Sequence, residues 1–134
     1  MKEITKEWIS LAKDDLKTVA EIIHRDELSN VASFYSQQCV EKLMKGILEE
    51  KGIRFLKTHN FIKLYEETKK IVSLDIEKDT LDLLNKIYID SRYPGELGLA
   101  PYGKSKKEDA ELFYTLAEKL YDKIEAFLKR ENSS

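Results

Sequence analysis

The chain has one cysteine, Cys39, among its 134 residues. A single thiol excludes an internal disulfide and any zinc site built on cysteines. Cys39 sits among apolar neighbours, where it acts as a small hydrophobe, and nothing near it in sequence would activate it. Two prolines and five glycines are few, as suits a helical bundle. Long apolar runs are missing too. None approaches the roughly 18 residues of a membrane span, and MKEITKEWISLAKDDL lacks the apolar core of a signal peptide. The expectation is a cytoplasmic protein with no membrane partner. An excess of one charge sign is also lacking: charged residues make up 36% of the chain, yet the net charge is −2. That balance gives no global pull toward nucleic acid or anionic membrane and leaves only local basic patches. No phosphate loop, dinucleotide-binding glycine pattern, nucleophile elbow or His-Glu-x-x-His helix occurs. His24 and His59 fall in different elements with no carboxylate at ligand spacing, so neither a metal site nor a cofactor is expected.

What remains is helical periodicity. Trp8, Ala12, Leu16, Val19 and Ile23 recur at three and four residues over about Ile4–Arg25, predicting a first helix with Lys13, Asp14, Lys17 and Glu21 on its wet side. A second spans about Asn30–Lys51, with Ser29 or Asn30 as N-cap and Gly52 as a left-handed stop. Its apolar positions, from Val31 and Phe34 through Leu43, Met44, Ile47 and Leu48, form an arc broader than one face requires. That helix is either central or shared with a second subunit. A short helix over about Phe61–Val72, capped by Thr58 or Asn60, precedes one from Asp75 to Arg92, where Pro94 disfavours continuation. Ser105-Lys106-Lys107-Glu108 reads as a capping box, opening a last helix to about Lys129. Residues 131–134 read as a frayed tail. Residues 1–134 thus read as one domain: all-α, an antiparallel up-and-down bundle of four long helices plus one short helix.

Candidate functional residues cluster in two places. Arg92 ends a helix before the one long irregular segment, YPGELGLAPYGK, which holds both prolines and three of the five glycines. A guanidinium beside Tyr93, Tyr102 and Lys104 can take a phosphate bidentately while the rings stack on a base. On residue types alone, a simpler role competes: Arg92 pairing with helix-end carbonyls or Asp90. The second place is the middle of helix two, where Gln37, Gln38, Lys42 and Lys45 interrupt an apolar helix and require polar partners. Neighbouring glutamines point about 100° apart, so one is expected to bond across the core and the other to face a partner. His59, after Lys57 and Thr58, reads as a capping histidine, and His24 as a helix-end residue.

Five ordered pieces carry a resemblance: WISLAKDDLKTVAEI, FYSQQCVEKLMKGILEEKG, KTHNFIKL, YIDSRYPGE and the capped helix after PYGKSKKEDAE. Together they span nearly the whole chain, which resembles the HEPN family of small helical domains. The resemblance implies a homodimeric bundle, a prokaryotic setting and a small nucleotidyltransferase partner, often as a toxin–antitoxin pair. Many members are metal-independent ribonucleases, in which an arginine is followed four to six residues later by a histidine. Arg92 matches the arginine, but no histidine occupies that window. Proton transfer near neutral pH ordinarily needs one, and Tyr93 and Tyr102 titrate near 10. The resemblance therefore implies a non-catalytic nucleotide-, RNA- or partner-binding module. The alternative is an RNA endonuclease using Arg92 with a base such as His59 or Tyr102. A third reading makes Tyr93 or Tyr102 the acceptor of a modification by the partner.

Overall fold

A computed structural model describes residues 1–54, 57–92 and 105–133, those at 88–92 and 133 as helix backbone. Five α-helices carry the fold: α1 (Glu3–Ile22), α2 (Ser29–Glu50), α3 (Phe61–Thr68), α4 (Lys78–Arg92) and α5 (Lys107–Ser133), with a 3-10 turn at Asp26–Leu28. Among the described residues there is no strand, and no helix is long and apolar enough to cross a membrane. The all-helical class read from the periodicity is the class found.

Ion pairs and hydrogen bonds set the directions of the helices. The Lys2 backbone N–H donates to Glu50 Oε1 at 3.0 Å, and Lys42 meets Asp15 at 2.7 Å, so α1 and α2 run antiparallel. Ser105 N–H donates to Asn30 Oδ1 at 3.3 Å near the start of both α2 and α5, and Lys51 pairs with Glu131 near the end of both. These two helices are therefore parallel. The core fills the space between them, with Val40, Leu43, Met44, Ile47, Phe61, Leu64, Leu84, Phe113, Ala117 and Ile124 all fully buried. Fourteen residues of α2 are buried, and every other helix packs against it. Its broad apolar arc is thus that of the central helix. Burying a large aliphatic or aromatic side chain stabilises by about 1.5–3 kcal/mol, so this arc is the main thermodynamic reason the bundle closes around α2.

Local chemistry explains where several elements begin and end. Gly52 takes φ 74°. Ile53 N–H donates to Leu48 O at 2.8 Å and Gly52 N–H to Glu49 O at 3.0 Å, the paired bonds of a Schellman stop. Asn60 caps α3 by accepting from the N–H groups of Ile62 and Lys63. That helix stops at Thr68, short of the expected Val72, because the Tyr65 hydroxyl draws the chain into a turn. It donates to Leu74 O at 3.1 Å and accepts from Ile76 N–H at 3.2 Å. The expected start of α4 at Asp75 moves to Lys78 for the same reason.

Other expected caps are occupied elsewhere. Ser29 Oγ donates back to Asp26 O at 2.8 Å, and Asn30 is taken by Ser105. Ser105 Oγ lies 2.5 Å from Ser33 Oγ, a buried pair joining α2 to the base of α5. The N-terminus of α5 is instead closed by Asp109, whose Oδ2 accepts from Lys106 N–H at 3.3 Å. Helix α1 ends at Ile22, leaving His24 in the turn that follows. At the other end, α5 continues to Ser133, and the Met1 amino group donates to Asn132 Oδ1 at 3.1 Å.

Candidate functional site

Arg92 is the last residue of α4. Its side chain, with Tyr93, Tyr102 and Lys104, lies outside the described residues. The polar positions of α2 are described in full, and they lead to a different group of residues.

Gln37 is wholly buried, and its Nε2 donates to Leu84 O of α4 at 2.8 Å. This is the expected cross-core amide. Lys42 leans back to Asp15 of α1, so it locks two helices rather than facing outward. Lys45 is 3% exposed and donates to Glu41 Oε2 at 2.9 Å. The same oxygen lies 3.1 Å from His59 Nδ1. His59 is therefore no cap, since Asn60 performs that task. Its ring joins the buried Glu41–Lys45 pair from just before α3.

Three elements make this corner. Glu41 is one turn along α2 from Gln37, which is fastened to α4. Phe61 N–H, opening α3, donates to Asn85 Oδ1 of α4 at 2.8 Å, and Asn85 Nδ2 lies 3.4 Å from Asn60 Oδ1. The residue before Asn60 is thereby held against α2. Taking a carboxylate and an ammonium out of water costs several kcal/mol per ion before their attraction offsets it, so a charged pair here needs all its hydrogen bonds. Among the described residues it does not have them: Glu41 Oε1 is buried without a partner there, as are Gln37 Oε1 and Gln38 Nε2 alongside it on α2. Each such atom costs about 1–3 kcal/mol, and native cores keep few of them.

The chemistry of the dyad follows from the acceptor. Glu41 Oε2 accepts from the Lys45 ammonium, and a carboxylate oxygen in an ion pair donates nothing. In that pairing Nδ1 of His59 carries the hydrogen and donates it to Glu41 Oε2. The His59 side chain is 42% exposed, so the ring reaches from the buried pair toward solvent. Among the described residues, no three of His, Cys, Asp and Glu come together as a metal ligand set. Cys39 is fully buried, and burial pushes its thiol up to about 12, leaving no thiolate for chemistry at neutral pH.

Sequence reasoning missed Glu41. It lies 18 residues from His59, and only the turn between α2 and α3 brings them together. The available signal was the Glu41–Lys45 spacing: opposite charges four residues apart on a helix otherwise apolar on most sides.

Comparison with known proteins agrees with this architecture. The HEPN domain model matches residues 5–127. A candidate toxin of Methanocaldococcus jannaschii, MJ1304, is 32% identical over 140 residues, spanning 94% of this chain and 89% of its own. Two crystal structures share the fold at 24% identity: TT1696 from Thermus thermophilus, with TM-score 0.71 over 94% of this chain and 99% of that one, and ST0689, an archaeal HEPN homologue, with TM-score 0.60 over 94% and 98%. With its helices in this order and the family model matching nearly end to end, the chain belongs to the HEPN domain family.

Proposed function

We propose that this protein is a toxin–antitoxin-type HEPN module that binds RNA or a nucleotide at the end of α4, with Arg92 as the anion anchor. It works as a homodimer alongside a nucleotidyltransferase partner. The observation that carries the reading is the family match across the chain, with Arg92 kept at the C-terminal end of α4. The 32% likeness to a candidate toxin supports the setting. A guanidinium can grip a phosphate with two parallel hydrogen bonds, which a lysine cannot reproduce. Arg92→Ala is expected to weaken binding of a short single-stranded RNA by at least about tenfold, roughly 1.4 kcal/mol, with unchanged thermal stability. Equal affinity of the two proteins would remove Arg92 from the site.

A second reading, a metal-independent RNA endonuclease, gains support from one observation. The histidine missing after Arg92 has a counterpart in His59, whose ring is oriented by a buried carboxylate, as a proton-transfer group requires. Cleavage that persists in EDTA, leaves 2′,3′-cyclic phosphate ends and disappears in both Arg92→Ala and His59→Ala would establish this reading. Intact RNA after prolonged incubation would leave the binding module.

A further inference from the structure

A second surface lies away from the end of α4. The turn between α3 and α4 meets the second half of α5, and the seam between them is an open groove. Val72, Phe127, Lys123 and Arg130 line its larger part, about 320 Å³ in volume. Ile76, Leu120, Lys119 and again Lys123 line a smaller part of about 70 Å³. The floor is the edge of the core: Val72, Ile76 and Leu120 are buried, and Phe127 packs against the core from a half-buried position. The rim is basic. Lys119 and Lys123 stand one turn apart on α5, both exposed, an arrangement in which like charges destabilise a helix. Other lysines of α5 have acids beside them: Lys107 has Glu111, and Lys129 has Glu125. Lys119 and Lys123 have no ion-pair partner among the described residues. Asp75 also lines the smaller part of the groove, yet it pairs with neither lysine.

An apolar floor edged by unpaired cations is complementary to an anionic segment that carries apolar side chains. From this complementarity we infer that the groove docks a short acidic peptide segment of a partner protein. One or two large apolar side chains of the segment rest against Val72, Leu120 and Phe127, and its carboxylates meet Lys119 and Lys123. A carboxylate between two lysines that repel each other relieves their repulsion as well as adding its own attraction. Rim charges of this kind set partner choice and on-rate, while buried apolar anchors hold the complex together. The length of the groove suits a peptide better than a small anion. Lys119 and Arg130 lie eleven positions apart on α5, about 16 Å of helix at 1.5 Å per residue. An extended segment covers that in about five residues at ~3.3 Å each. The groove adjoins the start of α4, and Arg92 ends that helix of 15 residues, about 22 Å away along the axis. A partner held here therefore leaves the end of α4 open.

The probe is the fluorescein-labelled peptide EDLEEFDE, titrated by anisotropy against the full chain. Two counterparts accompany it: SSLSSFSS, with serine for every acid, and EDAEEADE, with alanine for both apolar residues. Wild-type protein should bind EDLEEFDE about tenfold more tightly than either counterpart. Its preference over SSLSSFSS should shrink as salt rises from about 50 to about 500 mM. The double variant Lys119→Glu/Lys123→Glu should lose about tenfold in affinity for EDLEEFDE and bind KKLKKFKK instead, a swap that loss of packing alone does not produce. Both lysines are exposed, so the variant should fold, and a thermal melt checks it. Ala126→Glu puts a bulky acid on an exposed position of the groove and should block EDLEEFDE without changing the melt. Amide shifts should move at residues 72–76 and 116–130 when the peptide is added. No binding of EDLEEFDE, equal binding of SSLSSFSS, affinity kept in the double variant, or shifts confined to other residues each overturn the inference. So does a single-stranded RNA 12-mer that displaces the peptide and is itself lost in the double variant, which would make this edge a nucleic-acid surface. The place of Arg92 is decided separately, by RNA binding of Arg92→Ala.

Discussion

Asp15 shows how single residues in this protein trade burial against charge. It is buried on α1 and holds Lys42 at 2.7 Å, yet burial pushes its carboxyl above the ordinary 3.8, outweighing the lowering by Lys42. A carboxyl raised on folding binds more protons folded than unfolded between the two values, so stability falls as pH rises from 3.8 through the raised value. Asp15→Asn removes that loss while keeping an acceptor for Lys42. Urea midpoints from about pH 3.5 to 7 should show the variant gaining on the parent as pH rises, then running parallel to it. A gap that closes with rising pH would mean that the attraction of Lys42 dominates. Residue-level legibility was uneven. That one of Gln37 and Gln38 would be a core amide and Cys39 a hydrophobe followed from their neighbours in sequence, while only the structure shows that the amide is Gln37. That His59 would face a carboxylate did not, because the carboxylate comes from another helix.

At the level of elements, α1 and α2 are in tight contact at Gly46. A Cβ built there meets Trp8 Cβ at 3.1 Å and Ile9 Cδ1 at 3.3 Å. Trp8 Cβ is fixed to its backbone and cannot swing aside, so a larger residue must push the two helices apart. Gly46→Val should destabilise by about 1–3 kcal/mol from overpacking, read as a lower urea midpoint with an unchanged slope. An unchanged midpoint would mean that the helices slide to make room. At Gly52 the constraint is different: φ 74° is required and no atom lies nearby, so the glycine serves the backbone alone. Helix ends were legible where a cap is local, as with Gly52 and Asn60. They were not legible where a tertiary partner takes the capping group, as with Asn30 and Ser105. A serine three residues before an acid satisfies the capping-box pattern, but the pattern carries no information about Ser33 across the bundle.

For the molecule as a whole, the centrality of α2 accounts for its apolar arc, so that arc no longer argues for a second subunit. Dimerisation then rests on the family resemblance, and light scattering at micromolar concentration should give twice the 15.6 kDa of one chain. A mass of one chain would count against it and against a site shared between copies. The amino-acid sequence by itself determined the all-α class, the five helices in order, the glycine stop of α2 and membership of the HEPN family. These depend on periodicity and short-range chemistry, which neighbours along the chain decide. Only the tertiary structure decided that Lys42 locks α1, that Ser105 is held by α2, and that His59 meets Glu41 beside Lys45. Each of these joins residues at least 18 positions apart, and their geometry depends on how closed loops and packed helix faces meet in space. A carboxylate buried beside a lysine acquires a chemical role only when a histidine from another element is held against it, and that depends on the fold.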